Sequence, residues 1–155
     1  MFRLRTAAVV TLFGAMSLLA ACADNMQSSG SMAQASGPVA LKASLSSAQI
    51  NPPVASPGTG SATISYNAAT KELTWTLTWS PLSGPATMAH FHGPAAPGAN
   101  AGVALPIGAA GMASPVSGKA TLNDAQAADV MAGRWYVNIH TAANPGGEIR
   151  GQVMR

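Results

Sequence analysis

Seven consecutive residues, Leu73-Thr74-Trp75-Thr76-Leu77-Thr78-Trp79, alternate large apolar and threonine side chains. A repeat of two sends the two sets to opposite faces of a strand. The Trp/Leu face is therefore expected to be core and the Thr face solvated, as in an antiparallel sheet with one wet side. Similar short strands are read at 39–45, 61–66, 86–92, 102–108, 115–121, 135–140 and 148–153, with Pro and Gly in nearly every gap. About eight short strands at this spacing point to an all-β fold, a Greek-key β-sandwich. One short helix is expected after Asn123, a capping residue, with Asp124 in its first turn and Gly133 at its end. Asp124 then favours the helix dipole, and Asp129 is a solvated acid.

The N-terminus reads differently. Arg3 and Arg5 precede an uncharged apolar run over 6–19, then Ala20, Ala21 and Cys22, the pattern of a secretory signal. The run is short for a spanning helix, which needs about 20 apolar residues. Leu19-Ala20-Ala21-Cys22 resembles the bacterial lipobox, in which the cysteine thiol takes a diacylglycerol and the new amino terminus is acylated. Two or three acyl chains anchor a protein stably to a membrane. Residues 1–21 are thus expected to be a lipoprotein signal peptide, cut before Cys22, the only cysteine. Residues 22–37 are rich in Ser, Ala, Gly and Gln without hydrophobic periodicity and read as a lipidated flexible tether. The β domain occupies 38–155. Ala23 rather than an aspartate follows Cys22, so the outer membrane is favoured over the inner, with the domain in the periplasm or at the surface.

Removing residues 1–21 from 155 leaves 134, enough for one domain. With Arg3 and Arg5 gone, six Lys/Arg face five Asp/Glu. Such a near-neutral chain lacks the basic footprint of a nucleic-acid binder. A single, lipidated cysteine leaves no internal disulfide, so packing or a metal must stabilise the fold. No nucleophile elbow, phosphate loop or well-spaced acid pair supports hydrolase or transferase chemistry.

Chemistry, if present, lies with three histidines: His90 and His92 in Met88-Ala-His-Phe-His, and His140 closing Trp135-Tyr-Val-Asn-Ile-His. On a strand, residues i and i+2 share a face with Cα atoms about 6.5–7 Å apart, so His90 and His92 can converge on one ion at about 2.0–2.1 Å. Phe91 then enters the core. His140 also falls at a strand end and can supply a third nitrogen, leaving an open position on copper or, less favoured, zinc. Met88 shares the histidine face; it is a possible soft ligand for copper, and filling a core gap is the favoured role. Glu148 and Arg150, one repeat apart, are expected to form a structural charge pair.

Residues 89–108 (AHFHGPAAPGANAGVALPIG) and 133–153 (GRWYVNIHTAANPGGEIRGQV) closely resemble the two signature stretches of the CHRD domain, named for chordin. The resemblance covers about 39–153. Near its start the family has Gln-Glu-Val-Pro-Pro, where this chain has Gln49-Ile50-Asn51-Pro52-Pro53. The resemblance implies an immunoglobulin-like or superoxide-dismutase-like sandwich, found in bacterial exported proteins and in animal chordins that bind growth factors. It implies no established enzyme activity. The His-x-His followed by a distant histidine is similar to copper ligation in Cu/Zn superoxide dismutases, without a fourth histidine to bridge a second metal. Three functions follow as alternatives. The first is binding of one metal, copper favoured, for metal handling or redox protection. The second is metal-free adhesion or scaffolding on envelope proteins or glycans through the 93–102 loop. The third is copper-only superoxide dismutation, with Arg134 or Arg150 steering the anion.

Overall fold

A computed structural model describes residues 37–108 and 111–155. The expected signal peptide, Cys22 and nearly all of the tether lie outside the described residues. Eight strands follow in order: β1 (Val39–Ser46), β2 (Thr59–Asn67), β3 (Glu72–Ser80), β4 (Ala86–His92), β5 (Val103–Gly108), β6 (Val116–Thr121), β7 (Tyr136–Thr141) and β8 (Ile149–Gln152). One helix, α1 (Asp124–Met131), links β6 to β7. The described residues are all-β with a single short α-helix, as strand alternation and the capping residues implied.

The alternating segment is β3. Leu73 and Leu77 are fully buried and Trp75 nearly so, while Thr76 and Thr78 face solvent. Its neighbours obey the same period: Leu73, Trp75 and Leu77 stand opposite Tyr66, Ile64 and Ala62 of β2. On the wet face, hydroxyls pair across strands, Ser61 with Thr78 and Thr76 with Ser117, both at 2.8 Å. Cross-strand pairs of this kind set the register, because a slip of one residue would expose the apolar face.

The strands form one antiparallel sheet in the order β5-β4-β7-β8-β1-β2-β3-β6, folded so that its two halves stack. The connections β3–β4, β5–β6 and β6–β7 cross from one half to the other. The two sheets expected of a sandwich are thus halves of one sheet, joined at a seam where Ser46 of β1 is the residue paired with β8, through Arg150. Between the halves the Phe91 ring of β4 meets Trp75 edge-on at 5.3 Å and lies 5.8 Å from Trp135. Phe91 has no exposed surface. Aromatic contacts of this geometry add about 0.5–1.5 kcal/mol to the burial itself.

The helix forms because its ends are satisfied. The Asn123 side chain accepts from the Gln126 amide and the Gln126 side chain accepts from the Asn123 amide, a reciprocal capping box. Gly133, at φ +70°, ends the element. Asp124 pairs with Lys71 at 2.6 Å on the surface. Asp129 departs from expectation: it is engaged by Arg134 rather than solvated alone. None of the described helices is long and apolar enough to cross a membrane.

Candidate metal centre

Strands β4 and β7 lie side by side in antiparallel register, with Met88 opposite His140, His90 opposite Asn138 and His92 opposite Tyr136. Alternation sends Ala89, Phe91, Val137 and Ile139 into the core, all without exposed surface. The complementary set emerges on the other face of the same strand pair, where His90 and His92 on β4 meet His140 on β7. One nitrogen from each lies within 4.8 Å of the other two. His90 Nδ1 and His140 Nε2 are 3.3 Å apart. Two nitrogens held at 2.0–2.1 Å by a tetrahedral ion are separated by roughly 3.3–3.4 Å, so that pair already stands at ligand spacing. Among the described residues this is the one group of three or more His, Cys, Asp or Glu side chains gathered in this way.

Backbone carbonyls fix which nitrogen is free. His140 Nδ1 lies 2.9 Å from the Pro145 carbonyl and His92 Nδ1 lies 3.0 Å from the Ala101 carbonyl. A carbonyl only accepts, so each Nδ1 carries the proton and each Nε2 keeps its lone pair for the shared space. His92 Nε2 is buried without a partner. His140 Nε2 accepts from His90 Nδ1, and a shift of that proton to His90 Nε2 would free the third lone pair while the ring stays neutral. Outer hydrogen bonds of this kind orient ligands and raise their basicity. Burial, then the nearby His140 and His92 rings, hold His90 below the ordinary 6.5. For His92, burial also dominates, outweighing the Ala101 hydrogen bond that favours the charged ring. Both rings are thus biased towards the neutral form that ligates metals.

Three supporting groups surround the triad. The Tyr136 ring stacks on His92, with centroids 4.9 Å apart and planes 5° off parallel. Its hydroxyl bonds the backbone of Ala101, accepting from the amide at 3.1 Å and donating to the carbonyl at 3.2 Å. The turn after β7 carries Pro145, whose carbonyl holds His140, and Gly147, whose φ of +126° suits a residue without Cβ. A Cβ there would fall 2.3 Å from the Asn138 side chain, so glycine lets the turn close over the site.

Two expectations require correction. Met88 does not fill the core: it is 40% exposed, at the rim across from His140, because alternation gives the inward place to Ala89. Glu148 and Arg150 do not pair. Glu148 is fully buried and accepts five hydrogen bonds, from Ser56 Oγ, the Ser83 amide, Ser83 Oγ, Thr141 Oγ1 and Asn144 Nδ2. Burial pushes its carboxyl up, but the donors from Ser56, Ser83 and Thr141 outweigh this and hold it at about 2 against an ordinary 4.5. Arg150 is 2% exposed and instead donates to Asn100 Oδ1 and the Ala99 carbonyl, with its Cζ 3.6 Å from the Tyr136 ring centre. Of the two arginines considered for steering, Arg134 is engaged by Asp129, whereas Arg150 lines a cavity shared with His92.

Tyr136 and the carbonyls of Ala101 and Pro145 escaped the sequence reading. A signal existed for the first: period two through 136–140 puts Tyr136, Asn138 and His140 on one face, an unusually polar side for a strand whose opposite side is wholly apolar. The carbonyls belong to loops, which have no period. The 93–102 loop, considered above as a partner surface, also forms one wall of the site, tied down by His92, Tyr136 and Arg150.

No curated protein and no solved structure matches this chain. The family model of the CHRD domain matches residues 41–153, from β1 to the residue after β8 and including all three histidines. The chain belongs to the CHRD domain family.

Proposed function

We propose that this domain binds one metal ion, copper, through His90 Nδ1, His92 Nε2 and His140 Nε2, and serves metal handling or redox protection in the cell envelope. The observation that carries this reading is the pair of backbone carbonyls that commit His92 and His140 to the tautomers whose lone pairs meet. A core histidine that merely packs has no need of a buried Nε2 without a partner. Copper is preferred to zinc because copper binds nitrogen donors more tightly along the divalent series and because a thioether, Met88, stands at the rim. Three ligands leave a position for an exogenous group. The test is metal content and copper affinity of the purified protein beside a His90/His92/His140 triple alanine variant. About one copper per chain, lost in the variant, is expected; equal affinity in both overturns the reading. Superoxide dismutation is assayed in the same copper-loaded protein, and its absence there removes that activity.

The chain's N-terminal pattern supports export and anchoring through acylated Cys22, with the outer membrane as the favoured site. Mass spectrometry of the N-terminal peptide is expected to find the acyl chains on Cys22, and Cys22→Ala to release the protein from membranes. A metal-free adhesion module is favoured by one observation: most of the 93–102 loop is exposed. In that case loop variants lose an envelope protein or glycan partner that the triple histidine variant retains.

A further inference from the structure

Arg150 is a buried cation with no carboxylate against it among the described residues. Its Nη1 donates to Asn100 Oδ1 at 3.1 Å and its Nη2 to the Ala99 carbonyl at 2.7 Å, while Nε and one N–H on each Nη have no partner among the described residues. The Tyr136 ring stabilises the charge through its face. Taking an ion out of water costs several kcal/mol unless it is paired, so an uncompensated guanidinium marks a place where a negative charge belongs. Glu148, two residues away, is saturated by five other donors and is not that charge.

The space for an anion is present. Arg150 lines a cavity of about 220 Å³ with His92, Tyr136, Asn138, Asn100 and Ile50. Cavities that hold drug-sized ligands run to roughly 300–1,000 Å³, so this one suits a few heavy atoms. Its wall holds amide and phenol groups rather than a second cation, and its larger aliphatic side chain is Ile50, 7% exposed, beside the methyl of Ala101.

We propose that this cavity is a binding site for a small carboxylate, with Arg150 as its charge partner and its methyl or hydrogen end against Ile50. The planar fork of a guanidinium matches the two oxygens of a carboxylate. The ligand lies beside His92, within reach of the shell around the three histidines but independent of whether they hold an ion.

The test uses metal-free protein, so its outcome does not depend on copper. Acetate is titrated by calorimetry at constant ionic strength into the wild type, Arg150→Gln, Ile50→Glu and Ile50→Gln, with far-UV circular dichroism confirming the fold of each. Saturable one-to-one binding is expected in the wild type and in Ile50→Gln, and at least tenfold weaker binding in Arg150→Gln. Ile50→Glu supplies a carboxylate from within the chain and is expected to lose acetate binding while its thermal midpoint rises above that of the wild type. Acetate binding by Ile50→Glu equal to that of the wild type overturns the proposal, as does the absence of saturable acetate binding in the wild type. Phosphate binding tighter than acetate binding overturns the assignment to a carboxylate.

Discussion

Glu148 and Arg150 are two residues apart, both buried and both charged, yet their surroundings are opposite. Glu148 has five donors drawn from three separate stretches of chain, and its carboxylate is held at about 2. Arg150 has two neutral acceptors, an aromatic face and a cavity. The nearby His92 Nε2 and Asn138 Oδ1 are likewise buried without partners. A saturated charge fixes structure, since its removal strands every donor around it; an unsaturated one holds energy in reserve for a ligand. The difference teaches which of the buried polar groups serve folding and which serve binding.

The sharpest way to break this comparison is Glu148→Ala. It strands the Ser56, Ser83 and Thr141 hydroxyls and the Ser83 amide, and a loss on the order of 3 kcal/mol is expected in urea unfolding. Acid titration probes the same group less invasively. Because the folded carboxyl sits below its ordinary value, its stabilisation is complete above about pH 4.5 and is lost as pH falls towards about 2. The unfolding free energy is expected to decline across that window by on the order of 2–3 kcal/mol, and Glu148→Gln should flatten the decline. A wild type and a Glu148→Gln protein with parallel acid profiles would show that the hydroxyl cage contributes nothing specific to the charge.

On the other side of the comparison the effects shrink and change sign. Arg150→Met removes an uncompensated buried charge while keeping much of its stem, so a loss below about 1 kcal/mol is expected, far less than for Glu148→Ala. His92→Phe keeps the stack on Tyr136 and removes an orphaned nitrogen. In chelator-treated protein its stability is expected to equal or exceed that of the wild type by up to about 1 kcal/mol, while copper binding is lost. A large destabilisation by either change would place these residues with Glu148 as structural groups.

Much of this was legible along the chain. All eight strands stand within two residues of where period two and the Gly/Pro gaps placed them, and in β2, β3 and β4 one apolar face fixes the register. Asn123, Asp124 and Gly133 carried the helix, whereas the reciprocal bond of Gln126 emerged from the structure. The histidine triad was legible because His90 and His92 share a face and His140 closes a strand that pairs with theirs. The Glu148 cage was not, since Ser56 and Ser83 lie in irregular segments and reach Glu148 across separations of 92 and 65 residues. The same holds for Arg150, whose partners Ala99 and Asn100 sit on a loop. Strand β7 is buried on both faces, because His92 and Arg150 lie over Tyr136 and loop carbonyls hold Asn138 and His140.

The seam between the halves of the sheet gives one final consequence. The residue of β8 that registers against β1 is Arg150, opposite Ser46, and the same residue lines the cavity. In evolutionary terms the alignment of the two halves and the chemistry of the pocket are not separate traits. A lineage that alters one at this position inherits a change in the other, so new ligand preferences are expected to arise by replacing the neighbours of the arginine, Ile50 and Asn51 first, while the arginine itself stays.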